Sequence, residues 1–370
     1  MVKRQGTVEK LAMKPNFWQG RRVFITGHTG FKGSWMSLWL QKLGAELTGY
    51  ALPPPAGPSL FNEASVAEHM TSCQGDVRDA NALTVSIQAA SPEIVFHMAA
   101  QSLVRVSYQN PLETYATNVM GTVNLLEAVR ATPSVKAVVI VTTDKCYENR
   151  EWVWGYREND PMGGYDPYSS SKACAELVSS AYRSSFFNVQ DYDSHGVGIA
   201  SARAGNVIGG GDWAEDRLIP DILAAFEKNK TALIRNPGAV RPWQHVLEPV
   251  RGYMLLAERM FCEGPFYADS WNFGPNAEDI RPVSWIAENM AKLWGGCAQW
   301  DIDPSEHPHE AVSLKLDISK ARDSLQWQPR LELRDALKLV VEWSRKRQSG
   351  VDVRALTEQQ ISNYQELDQQ

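Results

Sequence analysis

The sequence predicts an α/β protein, a doubly wound parallel Rossmann sheet with a smaller mixed α/β lobe toward the C-terminus. Two observations carry this. Apolar runs of strand length alternate with helix-periodic segments over about 200 residues, the pattern of parallel strands joined by crossover helices. A glycine triplet, Gly27-x-x-Gly30-x-x-Gly33, also lies between the first such run and the first helix. After Arg203 the texture changes to a glycine-rich loop, 205–213, then short strands interleaved with helices near 217–229 and 282–294.

The first strand is the run Arg22-Val-Phe-Ile-Thr26. A glycine turn leading from it into a helix lets the backbone approach a pyrophosphate at the helix N-terminus. The second strand, 45–51, ends in Tyr50-Ala-Leu-Pro-Pro-Pro. No acidic residue stands there to hold an adenosine ribose, and no arginine follows to take a 2′-phosphate, so the strand leaves NAD and NADP open. Lys32 and His28 in the glycine loop are the cations placed for a 2′-phosphate. A third strand ends at 74–77, where Asp76 is a candidate for the adenine amino group and Asp79 for a helix N-cap.

The fourth strand, 93–100, ends in Ala99 and Ala100, whose small side chains leave room for a ligand at the crevice. Asn118, in a helix over 112–131, is placed to bridge backbone or hold water. The fifth strand, 136–143, delivers Thr143-Asp144-Lys145, and a sixth covers 195–203. Between these last two, Tyr168 and Lys172 stand four residues apart at the start of a helix, on one face. A lysine ammonium beside a phenol favours the phenolate, so the pair reads as a base for a sugar hydroxyl.

Composition excludes several classes. The 370 residues carry a net charge of −6, which argues against a nucleic-acid or anionic-membrane surface. Neither a membrane-spanning apolar run nor a signal-peptide core is evident. The five cysteines are scattered without a C-x-x-C pair and read as free thiols, with Cys146 a buried structural one. His307 and His309 lack the partners of a metal site, so no metal is expected. The chain divides into an N-terminal extension (1–18), a Rossmann domain (19–203), a substrate domain (204–346) with segments near 240–262 returning to the first lobe, and a polar tail (347–370), read as an exposed helix or frayed end. The 13 Trp are many, and Trp213 and Trp243 are candidates either to pack on a ligand or to fill the core or the interface between lobes.

These residues together resemble the extended short-chain dehydrogenase/reductase superfamily, over about residues 20–340. Thr142-Thr-Asp-Lys145 and Arg203-x-Gly-Asn206 are similar to segments of the nucleotide-sugar 4,6-dehydratases. Four longer strings are similar to the CDP-glucose 4,6-dehydratase family: Gly27-His-Thr-Gly-Phe-Lys-Gly-Ser-Trp35, Thr143-Asp-Lys-Cys-Tyr-Glu-Asn149, Gly209-Gly-Gly-Asp-Trp213 and Arg241-Pro-Trp-Gln-His245. The resemblance implies NAD as cofactor, with contacts from Gly27, Thr29, Gly30, Phe31, Gly33, Asp76, Val77, Ala99, Ala100, Gln101, Asn118, Thr142 and Arg203. It implies Tyr168 as base, with Lys172 as its partner and bonding the nicotinamide ribose.

It further implies CDP-D-glucose as substrate, CDP-4-dehydro-6-deoxy-D-glucose and water as products, and a cytoplasmic place in bacterial surface-polysaccharide (O-antigen type) synthesis. A homodimer or homotetramer through the helices near 112–131 and 168–187 is implied too. Candidate substrate contacts are Thr143, Asn206, Arg217, Leu218, Arg241 and Arg251. Arginine suits a diphosphate because its planar fork binds oxygen pairs, although Arg251 equally suits a structural ion pair.

Removing water across C5 and C6 of an unactivated sugar is hard because the C5 hydrogen is not acidic; a C4 ketone makes it so. That chemistry needs an oxyanion donor, which Thr143 can be, and an acid for the C6 hydroxyl, which Asp144 can be if burial raises its pKa. It also needs a base for C5. Related enzymes place Glu where Lys145 stands, so Lys145 is either that base or, with another group removing the proton, a partner for Asp144 or a stabiliser of the enolate.

Overall fold

The computed structural model describes residues 14, 16–305 and 313–367. Six strands come from the chain up to Ala204: β1 (Arg22–Thr26), β2 (Glu46–Ala51), β3 (Thr71–Gln74), β4 (Ile94–His97), β5 (Ala137–Val141) and β6 (Gly198–Ala204). β7 (Asn206–Ile208), β8 (Ala232–Ile234), β9 (Val240–Arg241), β10 (Trp243–His245), β11 (Ser270–Phe273), β12 (Arg281–Pro282) and β13 (Trp300–Ile302) follow. β11 joins the first six in one seven-stranded sheet, ordered β11-β6-β5-β4-β1-β2-β3 and parallel throughout. The order reverses between β1 and β4, and the loops after those two strands form the crevice where doubly wound sheets bind ligands.

Burial on both faces explains why the central strands read as unbroken apolar runs. All five residues of Ala137-Val-Val-Ile-Val141 are buried. The helix Phe31–Lys42 is apolar nearly all round, with Trp35, Met36, Leu38, Trp39 and Leu40 inaccessible. Such a helix must be covered on both sides. The sheet covers one; the C-terminal helix Val353–Glu366 lies against the other, where Tyr364 meets Trp39 edge to face at 5.7 Å.

The tail therefore corrects the sequence reading. Val353, Leu356, Thr357, Gln360, Ile361 and Tyr364 make a buried stripe at helical spacing, and the segment is docked. The N-terminal boundary shifts as well. Phe17 and Trp18, placed in the extension by sequence, belong to the core. His307 and His309 lie outside the described residues.

One buried carboxylate locks the C-terminal segments in place. Glu248, on the helix Leu247–Glu263 that packs on β5 and β6, accepts the backbone N–H groups of Arg330 and Leu331 at 2.8 and 2.7 Å and the Tyr364 hydroxyl at 2.6 Å. Burial pushes its pKa up to about 7. The unfolded side chain titrates near ~4.3, so the native state binds a proton there that the unfolded chain has released, and this group lowers stability as pH rises from about 4 to 7. Glu248→Ala removes the acceptor of all three hydrogen bonds. Urea unfolding at neutral pH is expected to register a loss of about 3 kcal/mol or more.

A second apolar core forms the smaller lobe. It is built from Ile219, Ile222, Phe226, Trp243, Ile286, Met290, Leu337 and Val340. Trp243 is thus core, not a ligand platform. Trp213 packs on Trp343 at 5.8 Å and under the Arg347 guanidinium at 4.8 Å. The two cores meet at the glycine-rich loop, where Trp35 Nε1 donates to the Gly210 carbonyl at 2.9 Å.

Candidate active site

The first wall is the turn from β1 into the Phe31–Lys42 helix. Gly27 has φ +78°, and a Cβ on it would stand 2.7 Å from the Ala99 nitrogen. A Cβ on Gly33 would collide with the Gly27 carbonyl. Only glycine allows this close approach of loop, helix and β4. Gly30 is the N-cap and bonds none of the helix's open N–H groups through a side chain, and the first turn has no acidic residue. Those N–H groups suit a phosphate, so the cradle fits the pyrophosphate of a dinucleotide. Thr29 is anchored by donating to the Leu52 carbonyl at 3.0 Å, and Phe31 lies against Gly209 of the glycine-rich loop.

His28 and Lys32 do not sit together at the end of β2. His28 is buried, its Nε2 is 2.8 Å from Ser72 Oγ, and burial pushes its pKa down to about 4, which leaves it neutral. Lys32 lies in the field of Asp144, Asp212 and Arg217. Neither is disposed toward a 2′-phosphate. Asp76 takes hydrogen bonds on both carboxylate oxygens from Arg78, which holds its pKa below the usual range. Val77 is buried over Gly121, and Asp79 caps the next helix by accepting from Ala82 N–H at 3.0 Å.

Asn118 stands in a π-helical turn, Ala116–Met120, within the run of helix from Pro111 to Arg130. Its amide ties two walls together. It accepts from Gln101 N–H at 2.9 Å, and it donates to the Gln101 carbonyl at 2.9 Å and to Ser171 Oγ at 2.8 Å. This fixes the loop after β4, with Ala99 and Ala100, against the helix Pro167–Ser185. That helix starts where sequence chemistry dictates: Pro167 occupies its first turn, and Asp166 caps it by accepting from Ser169 N–H at 2.9 Å.

Tyr168 and Lys172 are both buried on one face of this helix, opposite the turn that follows β5. The Tyr168 hydroxyl lies close to the Thr143 side chain. Lys172 Nζ donates to the Val141 carbonyl at 3.1 Å. The expectation that Lys172 lowers the Tyr168 pKa is corrected. Burial pushes the phenol up to about 12, with Asp144 adding to the rise against the pull of Thr143. Burial, with Lys32 second, pushes Lys172 down to about 7. Desolvation opposes the charged form of both groups and dominates each shift.

Asp144 is 1% exposed. It accepts from Thr143 Oγ1 at 3.1 Å through one oxygen, and its other oxygen has no partner among the described residues. Burial raises its pKa, against the pull of Lys145, Thr143 and Arg241. Lys145 follows in the short 3₁₀ turn Asp144–Cys146, half-buried. Cys146 is a buried free thiol driven well above the usual thiol range by burial. On the facing lobe, Arg217 donates to Asp212 at 2.9 Å and to Ser102 Oγ at 3.0 Å, and so spans the two lobes. Leu218 starts the helix behind it, Asn206 opens β7, and Arg241 lies within the field of Asp144.

Three expected contacts point elsewhere. Thr142 donates to Glu176, and Arg203 pairs with the same carboxylate at 2.8 Å while donating to the Tyr147 hydroxyl at 2.7 Å. The pair is buried and structural. Arg251 is buried in the Leu247–Glu263 helix in the field of Glu248, the structural fate the sequence left open. Glu176 was overlooked, though it stands four residues past Lys172 and its charge supports that lysine. Tyr253 was overlooked too. Its buried hydroxyl has no partner among the described residues and lies in the field of Tyr168 and Asp144; a lone tyrosine within a helix gives no sequence signal for this. A polar cavity of about 420 Å³ lies apart, lined by Glu158, Arg183, Arg203 and Lys320, with none of Thr143, Asp144, Tyr168 or Lys172 in its wall. No group of side chains suited to a metal ion occurs among the described residues.

Residues 24–340 match the family model described as GDP-mannose 4,6 dehydratase. The chain belongs to that family. This dehydratase-family chain is 59% identical over 349 residues to the CDP-glucose 4,6-dehydratase of Salmonella typhimurium, covering 94% of its own length and 97% of that protein. It is similar in structure to a Bacillus anthracis dTDP-glucose 4,6-dehydratase solved in complex with NAD, with TM-score 0.72 and 22% identity over 88% of this chain and 97% of that one. A Thermotoga maritima UDP-glucose 4-epimerase with UDP-glucose matches with TM-score 0.75 and 21% identity over 88% and 99%. At these identities the two structures speak for a shared fold.

Proposed function

We propose that the protein is an NAD-dependent hydro-lyase that converts CDP-D-glucose to CDP-4-dehydro-6-deoxy-D-glucose and water. One observation carries the reading. A buried carboxyl, Asp144, raised in pKa and with one oxygen unbonded among the described residues, stands beside Thr143 and in the field of Tyr168. A plain dehydrogenase or 4-epimerase has no use for such an acid. The CDP preference is supported by the 59% identity to the Salmonella protein.

NAD, held by the glycine turn, would supply the acceptor for the C4 hydride and its return to C6. Tyr168 Oη takes the proton from O4, while Thr143 Oγ1 hydrogen-bonds that oxygen. Lys172 holds positive charge beneath the phenol as it ionises. Lys145 Nζ takes the C5 proton, made acidic by the C4 ketone, Asp144 gives its proton to the C6 hydroxyl, which leaves as water, and Lys145 returns a proton to C5 when the hydride reaches C6. Arg217 and Arg241 hold the substrate diphosphate with their planar forks.

Exposed Leu112 and Met120, with Leu177 on the Pro167–Ser185 helix, support a homo-oligomer joined through these helices. The product class fits deoxysugar supply for surface polysaccharide, in the cytoplasm.

Incubation with CDP-, dTDP-, GDP- and UDP-sugars tests the function. The expected result is near-ultraviolet absorbance in alkali, typical of a 4-keto-6-deoxy sugar, from CDP-glucose above all others. A C4 epimer without that absorbance would sink the proposal. Lys145→Ala is expected to leave C4 oxidation measurable yet stop exchange of the C5 proton with solvent deuterium. Persistent exchange in that variant removes Lys145 from the role of base.

A further inference from the structure

The polar cavity of about 420 Å³ takes no part in the reaction proposed above. Its wall joins the Pro167–Ser185 helix, β6 and β11 with Lys320 and the segment near Glu158. Most of its charges are already engaged. Glu176 pairs with Arg203 at 2.8 Å, and Asp269 pairs with Lys320. Glu158 accepts the Asn272 N–H at 2.9 Å, and burial raises its pKa. Asp160 accepts the Arg157 N–H at 2.8 Å.

Two buried groups are left over, and both are donors. The Arg203 side chain is 3% exposed. Its Nη atoms bond Glu176, the Tyr147 hydroxyl and the Glu158 carbonyl, yet its Nε is buried with no partner among the described residues. Arg183 is half-buried, and its one hydrogen bond among the described residues is long, Nη2 to Ser270 Oγ at 3.4 Å. Its Nη1 is buried without a partner, and no carboxylate among the described residues forms an ion pair with it. The last turn of a helix suits a cation, which accounts for the charge of Arg183 but not for its unused donor. By contrast, no oxygen of the four carboxylates in the wall is both buried and unbonded. A guanidinium has five donors and no acceptor, and leaving them dry is costly. What the wall lacks is an acceptor, and for Arg183 one that carries negative charge.

We infer that this cavity is a second anion site, in which Arg183 and Arg203 hold a small oxyanion, a phosphate or a carboxylate group. The planar fork of arginine suits both groups. The site borders the catalytic pocket through Glu176, which also accepts from Thr142 beside Thr143. It does not depend on the proposed reaction.

Inorganic phosphate and acetate are titrated separately by calorimetry into wild type, Arg183→Met, Arg183→Lys and Arg217→Met, without nucleotide and in a buffer free of both anions. Melting temperatures are recorded before each titration. At least one anion is expected to bind wild type, and Arg183→Met is expected to bind it about tenfold or more weakly, the worth of one charge-assisted hydrogen bond. Phosphate against acetate tells the two groups apart. Arg183→Lys keeps the charge and is expected to recover part of the loss. Arg217→Met is expected to retain wild-type affinity, because Arg217 lies in the cleft between the lobes and not in this wall. The anion-free melting temperature of Arg183→Met is expected to be unchanged or higher, since no carboxylate loses an ion pair. No binding of either anion to wild type overturns the inference, as does wild-type affinity in Arg183→Met. Affinity lost in Arg217→Met but kept in Arg183→Met places the anion in the cleft and also overturns it. A lowered anion-free melting temperature in Arg183→Met together with lost affinity, neither restored in Arg183→Lys, marks a structural side chain and overturns it too. None of these outcomes bears on CDP-glucose turnover, which is measured apart.

Discussion

Tyr168→Phe is expected to leave the protein folded and able to bind NAD while lowering kcat by about 10²–10⁴-fold, the usual worth of a positioned proton acceptor. The ring keeps its packing and only the hydroxyl is lost. That hydroxyl is buried close to Thr143, and its pKa is pushed up to about 12, so it holds its proton in the ligand-free protein. It becomes a base only when positive charge comes close enough to favour the phenolate. Lys172 is placed for this, and Glu176, one turn further on, supports the lysine's charge. Stopped-flow turnover of CDP-glucose with parallel NAD titration separates the outcomes. Near-wild-type kcat in Tyr168→Phe removes the tyrosine from the proton path.

Asp144→Asn has the second large effect, on a later step. C4 oxidation needs no acid at C6, whereas expulsion of the C6 hydroxyl does. The variant is expected to form a CDP-sugar lighter by two hydrogens and to lose water about 10²–10⁴-fold more slowly. Burial raises the carboxyl pKa, and a general acid works in its protonated form. In the wild type, water loss therefore slows as pH rises through that raised value, and Asp144→Asn lacks this limb of the profile. Mass spectrometry of quenched single turnovers across pH reads both effects. Equal water-loss rates in variant and wild type assign the acid elsewhere.

Local chemistry was legible in the sequence wherever one segment determined the outcome. The apolar run 22–26, the glycine turn and the Asp79 cap follow from residue type and spacing. So does the shared face of Tyr168 and Lys172. What the sequence concealed depends on partners far along the chain. Arg203 looked like a ligand-binding cation because its partner Glu176 is brought to it only by the packing of β6 against the Pro167–Ser185 helix. The rise in the Tyr168 pKa is a property of burial, and burial is a sum over the fold.

Two features were readable and passed over. The stripe Val353, Leu356, Thr357, Gln360, Ile361 and Tyr364 has helical period, yet the polar residues around it suggested exposure. Asp76 and Arg78 are two residues apart, and their pairing is local.

The central claim is that one pocket oxidises C4, expels water across C5 and C6, and returns the C4 hydrogen to C6. CDP-glucose deuterated at C4, turned over by the wild type and analysed by mass and NMR, tests this most directly. The expected product is lighter by one water and carries the deuterium on C6. A product of unchanged mass, or one that has lost water with no deuterium at C6, contradicts it.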